Sequence, residues 1–128
     1  MNYKCITASC LGRRRRGSSH CSRCERVLEH VEREVLRESK DSRRLYIGRG
    51  YNLARRHAEH VEKKGLTRLT GLVRCDDPYR ACSLESAAIK RLSYLAKLTN
   101  RTPKSLGGLR TDVDNYIYVA SEPKRGRR

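Results

Sequence analysis

The chain has 128 residues, a size that usually forms one domain with one modest core. It carries 30 Lys and Arg residues against 14 Asp and Glu residues, and this net charge of +16 favours polyanionic partners, nucleic acid first. No apolar run approaches the roughly 20 residues of a membrane span, and the N-terminus lacks the apolar stretch of a signal peptide. We therefore expect an intracellular protein of the cytoplasm, nucleus or nucleoid, neither secreted nor embedded in a membrane.

Four of the six cysteines lie within the first 24 residues. A reducing compartment disfavours disulfides and leaves metal ligation, burial or reactivity as the uses of a thiol. The last two of the four have the C-x2-C spacing of a zinc knuckle, and the first two can complete a tetrahedral site, with His20 or His30 as a substitute. The alternative is a set of free thiols. The candidate Zn2+ ligands are Cys5, Cys10, Cys21 and Cys24.

Two short segments concentrate positive charge. One is the run Arg13, Arg14, Arg15 and Arg16, and the other is the tail that begins at Lys124. We interpret both as solvated cationic segments, which strengthen non-specific nucleic-acid binding by releasing counterions from phosphates.

The first predicted helix extends from about Ser19 to Ser39, with Ser18 or Ser19 as its cap. Its apolar residues recur at spacings of three and four, which is typical of an amphipathic helix. These residues are Cys24, Val27, Leu28, Val31, Val35 and Leu36.

A strand and a second helix follow. The segment RRLYIG predicts a short strand, and Gly48 and Gly50 permit a tight exit from it. Asn52 is placed to cap the helix LARRHAEHVEKK, which Gly65 closes. Residues 66–75, LTRLTGLVRC, predict another strand.

The third helix is predicted to begin with Asp77 as its cap and Pro78 at its first position, and to extend to about Leu98. A glycine-containing loop and the strand NYIYVA complete the order strand, helix, strand, helix, strand, which indicates a small α/β or α+β fold. Cys75 and Cys82, before and within this helix, are expected to be buried or free. The predicted buried stripe of the helix is Leu84, Ala88, Leu92 and Leu95.

The second helix offers candidate catalytic residues. Arg56 and His60 are four apart and therefore share one flank, near the strand that carries Tyr46. Glu85 lies at the edge of the third helix's apolar stripe and is expected to face the seam with the sheet. Together these residues match the needs of phosphodiester hydrolysis: a carboxylate for a divalent cation, an arginine for the phosphate and a group that moves a proton. The predicted buried side of the second helix is Leu53, Ala54, Ala58 and Val61.

These residues resemble the signature of a known family. Tyr46, Ile47 and Gly48, with Arg56 ten positions after the tyrosine and His60 four positions later, resemble the second half of the GIY-YIG endonuclease signature. The similarity continues with a glutamate on a later helix, an asparagine after that helix and a closing strand, so that it covers about residues 44–120.

The resemblance implies a small central antiparallel sheet flanked by helices, and a hydrolase that cuts one DNA strand at a time with one Mg2+ or Mn2+. Glu85 would carry the metal and Arg56 would hold the scissile phosphate. Tyr46 would position or deprotonate the attacking water, His60 would assist, and Asn100 would support the site.

The same resemblance divides the chain into a basic, cysteine-rich segment with its helix (1–40), a nuclease-like domain (41–121) and a basic tail (122–128). Arg49, Arg55 and Lys63, together with the N-terminal arginines, are the expected DNA contacts. The expected partner is DNA, with no small-molecule cofactor.

The first half of the signature departs from the family. A GIY tripeptide on a paired strand normally precedes the YIG strand by about a dozen residues, and here that region reads REVLRESKDSRR. Either EVLRE replaces the strand, or the first helix continues and NYKCITAS near the N-terminus is the first strand. We favour the second interpretation, in which Tyr3 stands in for the missing tyrosine.

Two further functional classes share this charge and fold. One is a catalytically inactive module that binds DNA or structured RNA. The other is a structural RNA-associated protein with an N-terminal zinc knuckle. Both predict binding without metal-dependent cutting.

Overall fold

The computed structural model describes residues 5–7, 10–13, 20–100 and 115–124. Within these residues the chain forms three helices and three strands, which confirms an α+β fold with a small antiparallel sheet flanked by helices. The elements in chain order are α1 (Ser22–Ser39), β1 (Ser42–Gly50), α2 (Leu53–Lys64), β2 (Arg68–Cys75), α3 (Pro78–Leu92) and β3 (Asn115–Pro123).

The last strand in the chain lies in the middle of the sheet. The order is β1-β3-β2, and both neighbours of β3 are antiparallel to it. Most of β3 is buried, as expected for a run rich in β-branched and aromatic residues. In the pairing of β1 with β3, Gly48 lies opposite Tyr118 and Tyr46 lies opposite Ala120.

The structure contradicts the first interpretation of the missing strand and confirms the part of the second in which the first helix continues, but it pairs β1 with a later strand. EVLRE belongs to α1, because Val35 continues the apolar stripe that packs on the core and is fully buried there. In NYKCITAS, residues 5–7 form no strand, and Tyr3 lies outside the described residues. The partner of β1 is β3, which follows it in the chain.

Side chains of the strands alternate between the two faces of the sheet. Leu45 and Ile47 of β1 and Ile117 and Val119 of β3 point to the face covered by α1 and α3, where they join the larger core cluster. Tyr46, Tyr118 and Ala120 point to the opposite face, where they form a smaller cluster with Leu66 below α2.

The ends of the helices follow the capping chemistry. Asn52 Oδ1 accepts a hydrogen bond from the backbone N–H of Arg55, and Gly65 closes α2 with a φ of 68°. Asp77 accepts hydrogen bonds from the backbone N–H groups of Tyr79 and Arg80. These two caps confirm the sequence predictions.

Two other helix ends differ from the predictions. α1 begins after Cys21, whereas a cap at Ser18 or Ser19 falls outside the described residues. α3 ends at Leu92 rather than near Leu98. The hydroxyl of Ser93 donates to the carbonyl of Lys90 and so satisfies a terminal acceptor of the helix.

Beyond α3, the chain turns back along the edge of β1. The backbone N–H of Leu45 donates to the carbonyl of Lys97, and the N–H of Thr99 donates to the carbonyl of Leu45. Leu98 is buried in the core, while Leu95 is partly buried against it. The segment therefore satisfies backbone groups that an exposed edge strand would leave open.

Of the predicted buried side of α2, Leu53 is partly buried against the smaller cluster, and the other three positions are wrong. Ala54 and Ala58 are exposed and Val61 is 43 % exposed, whereas His60 is the buried residue of the helix. Alanine buries little apolar area, and the helix instead turns the imidazole of His60 onto the tyrosines of the sheet. Arg44 Nη2 donates to the carbonyl of Lys64 at 2.6 Å and ties the C-terminal end of α2 to β1.

Within the described residues, no helix is both long enough and apolar enough to cross a membrane.

Candidate active site and cysteine cluster

A cluster of two tyrosines and a histidine lies between α2 and the sheet. His60 Nε2 is 2.7 Å from the hydroxyl oxygen of Tyr118, and both side chains are buried. The Tyr46 ring lies 4.6 Å from the imidazole and 6.4 Å from the Tyr118 ring, centroid to centroid. The sequence pattern identified Tyr46 and His60, but it missed Tyr118.

Two glycines of β1 make room for this cluster. A Cβ atom at Gly48 would overlap the hydroxyl and ring of Tyr118, which lies opposite it in the sheet. A Cβ atom at Gly50 would come within 2.9 Å of Arg56 Cγ. The two missing side chains therefore let a tyrosine and an arginine lie across the end of β1.

The surroundings of Tyr118 keep its hydroxyl protonated. Burial raises the pKa of Tyr118, and the neighbouring Tyr46 adds to this rise. The charge of Arg56 acts in the opposite direction, while Glu85 and Glu59 raise the pKa further. A protonated phenol can donate to His60 Nε2 when that nitrogen carries no proton.

Glu85 lies on α3 at the seam with β1, and it is 8 % exposed. Its Oε1 is 3.8 Å from Nε of Arg49, whose side chain is 9 % exposed. Arg49 therefore faces the carboxylate of Glu85, and it is not spread on the open surface where a DNA contact was expected.

The arginines of α2 are more open. Arg56 and Arg55 both contact the carboxylate of Glu59, each at 3.3 Å, and their side chains are 47 % and 68 % exposed. Of the two, Arg56 also lies against Gly50, close to the tyrosine cluster.

A basic groove opens beside Tyr46. It has a volume of about 450 Å³, and Lys63, Lys64 and Arg44 contribute to its lining. The ammonium of Lys64 lies 4.0 Å from the centre of the Tyr46 ring, in a cation–π contact. A phosphate backbone in this groove would therefore meet positive charge on the exposed side of Tyr46.

Asn100 also lines this groove, and its amide is bound to the backbone of β1. Its Oδ1 accepts from the N–H of Ile47 at 3.0 Å, and its Nδ2 donates to the carbonyl of the same residue. The side chain thus acts as an extra strand residue at the edge of the sheet, next to Tyr46.

The four N-terminal cysteines form a second centre. Their sulfur atoms all lie within 4.8 Å of one another, so they could hold a metal ion such as zinc. Cys10 lies 3.7 Å from both Cys21 and Cys24, sulfur to sulfur. A Cβ atom at Gly12 would approach Cys21 Sγ to 2.7 Å, so glycine allows the loop to pass this close.

The thiols of this cluster differ in acidity. Burial opposes ionisation of Cys5, but hydrogen bonds with Thr7, Cys21 and Cys24 outweigh it and lower the pKa of Cys5 to about 5. Burial raises the pKa of Cys24 to about 12, and the neighbouring thiols add to this rise. Such mutual opposition is expected where several thiols share one site, because each thiolate disfavours the ionisation of its neighbours.

The histidines near the cluster take other positions. His20 Nδ1 is 3.0 Å from the hydroxyl of Thr7 and 4.0 Å from Cys5 Sγ. His30 instead lines a groove between α1 and β2. The remaining cysteines, Cys75 and Cys82, are buried and free, as predicted.

The structure describes only some of the predicted nucleic-acid contacts. Arg14, Arg15 and Arg16 fall outside the described residues, while Arg13 is exposed. Lys63 is exposed on α2.

Comparisons with protein-family models, with curated proteins and with solved structures find no match for this chain.

Proposed function

We propose that the protein is a divalent-metal-dependent DNA endonuclease with a GIY-YIG-like site, which hydrolyses one phosphodiester bond per active site. The observation that carries the proposal is the 2.7 Å contact of the buried His60 with the Tyr118 hydroxyl, next to Tyr46, which lines a basic groove. A buried tyrosine–histidine pair next to a cationic groove is an arrangement suited to moving a proton at a bound phosphate.

In this proposal, Tyr118 takes the place for which Tyr3 was considered. The strand beside Tyr46 and Gly48 is present, but it comes from the C-terminal end of the chain. The tyrosine does not have to precede the YIG strand in the chain. Antiparallel pairing of β3 with β1 brings the Tyr118 hydroxyl over Gly48.

The pair can act as a proton relay. The attacking water gives its proton to the Tyr118 oxygen while the phenolic proton passes to His60 Nε2. The hydroxide oxygen then bonds to phosphorus, and the bond from phosphorus to the leaving oxygen breaks. The leaving oxygen takes a proton from solvent water, and the proton held by His60 passes back through Tyr118 to solvent. A relay fits Tyr118, because burial raises the pKa of its phenol and a free phenolate would be scarce near neutral pH.

The cationic residues hold the substrate in this scheme. Arg56, which lies over Gly50 and is about half exposed, can reach a phosphate oxygen with two N–H groups. Lys63 and Lys64 line the groove beside Tyr46 and can contact neighbouring phosphates.

Glu85 fits the needs of Mg2+ or Mn2+ in one respect: it is a carboxylate with little exposure at the edge of the sheet. Such ions are commonly held by one or two carboxylates together with substrate phosphates and water. The cation would supply charge stabilisation at the phosphate. Within the described residues, only the cysteines gather three or more potential metal ligands, so Glu85 would be a single carboxylate ligand, beside the charge of Arg49.

Nicking of supercoiled plasmid tests the proposal. We expect nicking that requires Mg2+ or Mn2+ and is lost in Glu85→Gln and in Arg56→Ala. Glu62→Gln on α2 and Arg37→Ala on α1 are the matched controls, because they remove the same charges from exposed positions. Absence of metal-dependent nicking by the wild type on plain, branched and mismatched DNA would contradict the proposal.

A second candidate is a module that binds nucleic acid without cutting it. The observation in its favour is the contact of Arg49 with Glu85, which already provides the carboxylate with a cationic partner. This candidate predicts that Glu85→Gln leaves DNA and RNA binding unchanged and that neither protein nicks DNA.

For the cysteine cluster, we propose one structural Zn2+ held by four thiolates. Protein purified without chelator is expected to contain about one zinc per chain, measured by atomic emission. Cys24→Ser should lower this content, while Cys82→Ser, at a buried cysteine outside the cluster, should not. Wild-type protein that refolds fully and binds no zinc at micromolar Zn2+ would contradict this assignment.

A further inference from the structure

A second groove lies between the first half of α1, the end of β2 and the start of α3. It has a volume of about 480 Å³, and its polar lining consists of Arg23, Arg26, His30, Arg74 and Arg80. Among the described residues, no aspartate or glutamate lines it.

The groove is distinct from the one beside Tyr46, which is built by α2 and the edge of β1. The two grooves share no lining residue and lie at different edge strands, β2 in one case and β1 in the other. The second groove therefore has no direct part in the proposed chemistry at Tyr118.

The surface of α1 separates its charges. Arg23, Arg26 and His30 recur at spacings of three and four, so they share one side of the helix. Glu25 and Glu32 of the same helix are held by Arg91 of α3, with contacts of 2.6 and 3.0 Å. These carboxylates are thus drawn toward α3 and away from the groove.

Guanidinium groups indicate the kind of ligand. An arginine presents a planar set of N–H donors that matches the oxygens of a phosphate, and four arginines from three elements can contact successive phosphates. The described residues that line the groove include no Tyr, Phe or Trp on which an unpaired base could stack. These features favour the backbone of a duplex over a single strand.

The cysteine cluster lies at the end of this groove. Cys21 precedes the first residue of α1 and Cys24 is in its first turn, so a metal at the cluster would fix the turn that carries Arg23 and Arg26. Arg80 Nη2 lies 3.8 Å from Cys24 Sγ and joins the two features.

We propose that this arginine groove binds the phosphate backbone of double-stranded nucleic acid, as a second contact surface apart from the candidate active site. Binding here is independent of sequence and of cutting. The inference extends the proposed function but does not depend on it, because a module without nuclease activity would use the groove in the same way.

Fluorescence anisotropy of a labelled 20-base-pair DNA duplex, measured as a function of salt, tests the proposal. All proteins carry Glu85→Gln, so that no cutting occurs. The test variant is Arg23→Ala with Arg26→Ala, and the control is Lys40→Ala with Arg43→Ala. The control removes the same charge from exposed positions at the end of α1 and the start of β1 that line neither groove.

We expect the test variant to lower the slope of log K against log salt by about 1.8, since each phosphate contact contributes about 0.9. The control variant should keep the wild-type slope. Equal changes in both variants, or no change in either, would overturn the proposal, provided that circular dichroism shows the same helix content.

Two further arms identify the ligand. A single strand of the same length should bind more weakly than the duplex, and its loss of affinity in the test variant should be smaller. Polyglutamate at equal charge should compete poorly with the labelled duplex. Stronger binding of the single strand, or effective competition by polyglutamate, would contradict a groove built for duplex phosphates.

Discussion

The two faces of the sheet are packed for different purposes. Under α1 and α3, aliphatic side chains and cysteines form a large cluster of buried residues. Under α2, a small cluster contains Tyr46 and Tyr118, and His60 makes a hydrogen bond with the hydroxyl of Tyr118. The first face contributes most of the buried apolar area that stabilises the fold. The second face buries less apolar area and places the polar groups of Tyr46, Tyr118 and His60 near a groove.

This contrast explains why α2 exposes its apolar residues. Ala54, Ala58 and Val61 lie on the surface, although a helical wheel groups them with the core. The cluster under α2 is small, so the helix can bury little apolar area against it. The helix is instead oriented so that His60 contacts the Tyr118 hydroxyl. Substitutions under α1 should therefore cause the larger losses of stability, and substitutions under α2 should also affect the proposed chemistry.

The largest loss of stability is expected from the α1 face. Leu28→Ala should lower the free energy of unfolding by about 2–5 kcal/mol, because it removes a fully buried side chain from the larger cluster. Val61→Ala, on the exposed side of α2, should change it by less than about 0.5 kcal/mol. Urea denaturation measures both, and similar losses would contradict the contrast between the faces.

Gly48→Ala should damage the second face. The new methyl group would overlap the Tyr118 ring and push it from the sheet, at a cost of about 1–3 kcal/mol. Gly71→Ala is the control, since its Cβ would meet only the end of the Leu53 side chain, at 2.9 Å. Thermal unfolding compares the two variants, and an equal change in Tm would show that Tyr118 is not confined by Gly48.

Asn100→Ala should cost about 1–3 kcal/mol, because it leaves the N–H and carbonyl of Ile47 without the amide that binds both. Asn100→Asp keeps an acceptor for the N–H but loses the donor, so we expect an intermediate loss. Urea denaturation orders the three proteins. Equal stability of all three would contradict the bridging role of this side chain.

The smallest effect concerns alkaline pH. Burial raises the pKa of Tyr118 in the folded protein, so the folded state holds its proton more tightly than the unfolded chain. The stability from this group is therefore complete below the unfolded pKa of about 10, and it falls as pH rises above that value.

Tyr118→Phe removes this contribution. Its free energy of unfolding should decline less steeply than that of the wild type between about pH 10 and 11, by at most about 1.4 kcal/mol per pH unit for one group. Denaturant titrations at several pH values measure the decline. Parallel curves would contradict the raised pKa.

The sequence predicted the elements and several ends with chemical signals. The ends of α2 and the start of α3 depend only on residues close in the chain, so the local sequence was enough to predict them. The residues concerned are Asn52, Gly65, Asp77 and Pro78. The same holds for β3, whose run of β-branched and aromatic residues indicates a strand without knowledge of its partner.

Local sequence signals could not predict which strand pairs with β1. Pairing with β3 joins residues about seventy positions apart, such as Gly48 and Tyr118, and no local pattern selects that pair over a nearer segment. Tyr118 was therefore missed, although two tyrosines in NYIYVA were visible. The cysteine cluster was easier to predict, because the residue type and spacing of the four cysteines already indicated metal ligands.

The central claim is that the Tyr118–His60 pair moves the proton in DNA cleavage. Its most direct test is the single-turnover rate of plasmid nicking with Mg2+ for the wild type, Tyr118→Phe and Tyr116→Phe. Tyr116 is the matched control, because it lies two residues earlier on the same strand and is only partly buried. We predict a loss of about 100-fold or more in Tyr118→Phe and a rate close to wild type in Tyr116→Phe. Equal rates for all three proteins would contradict the account.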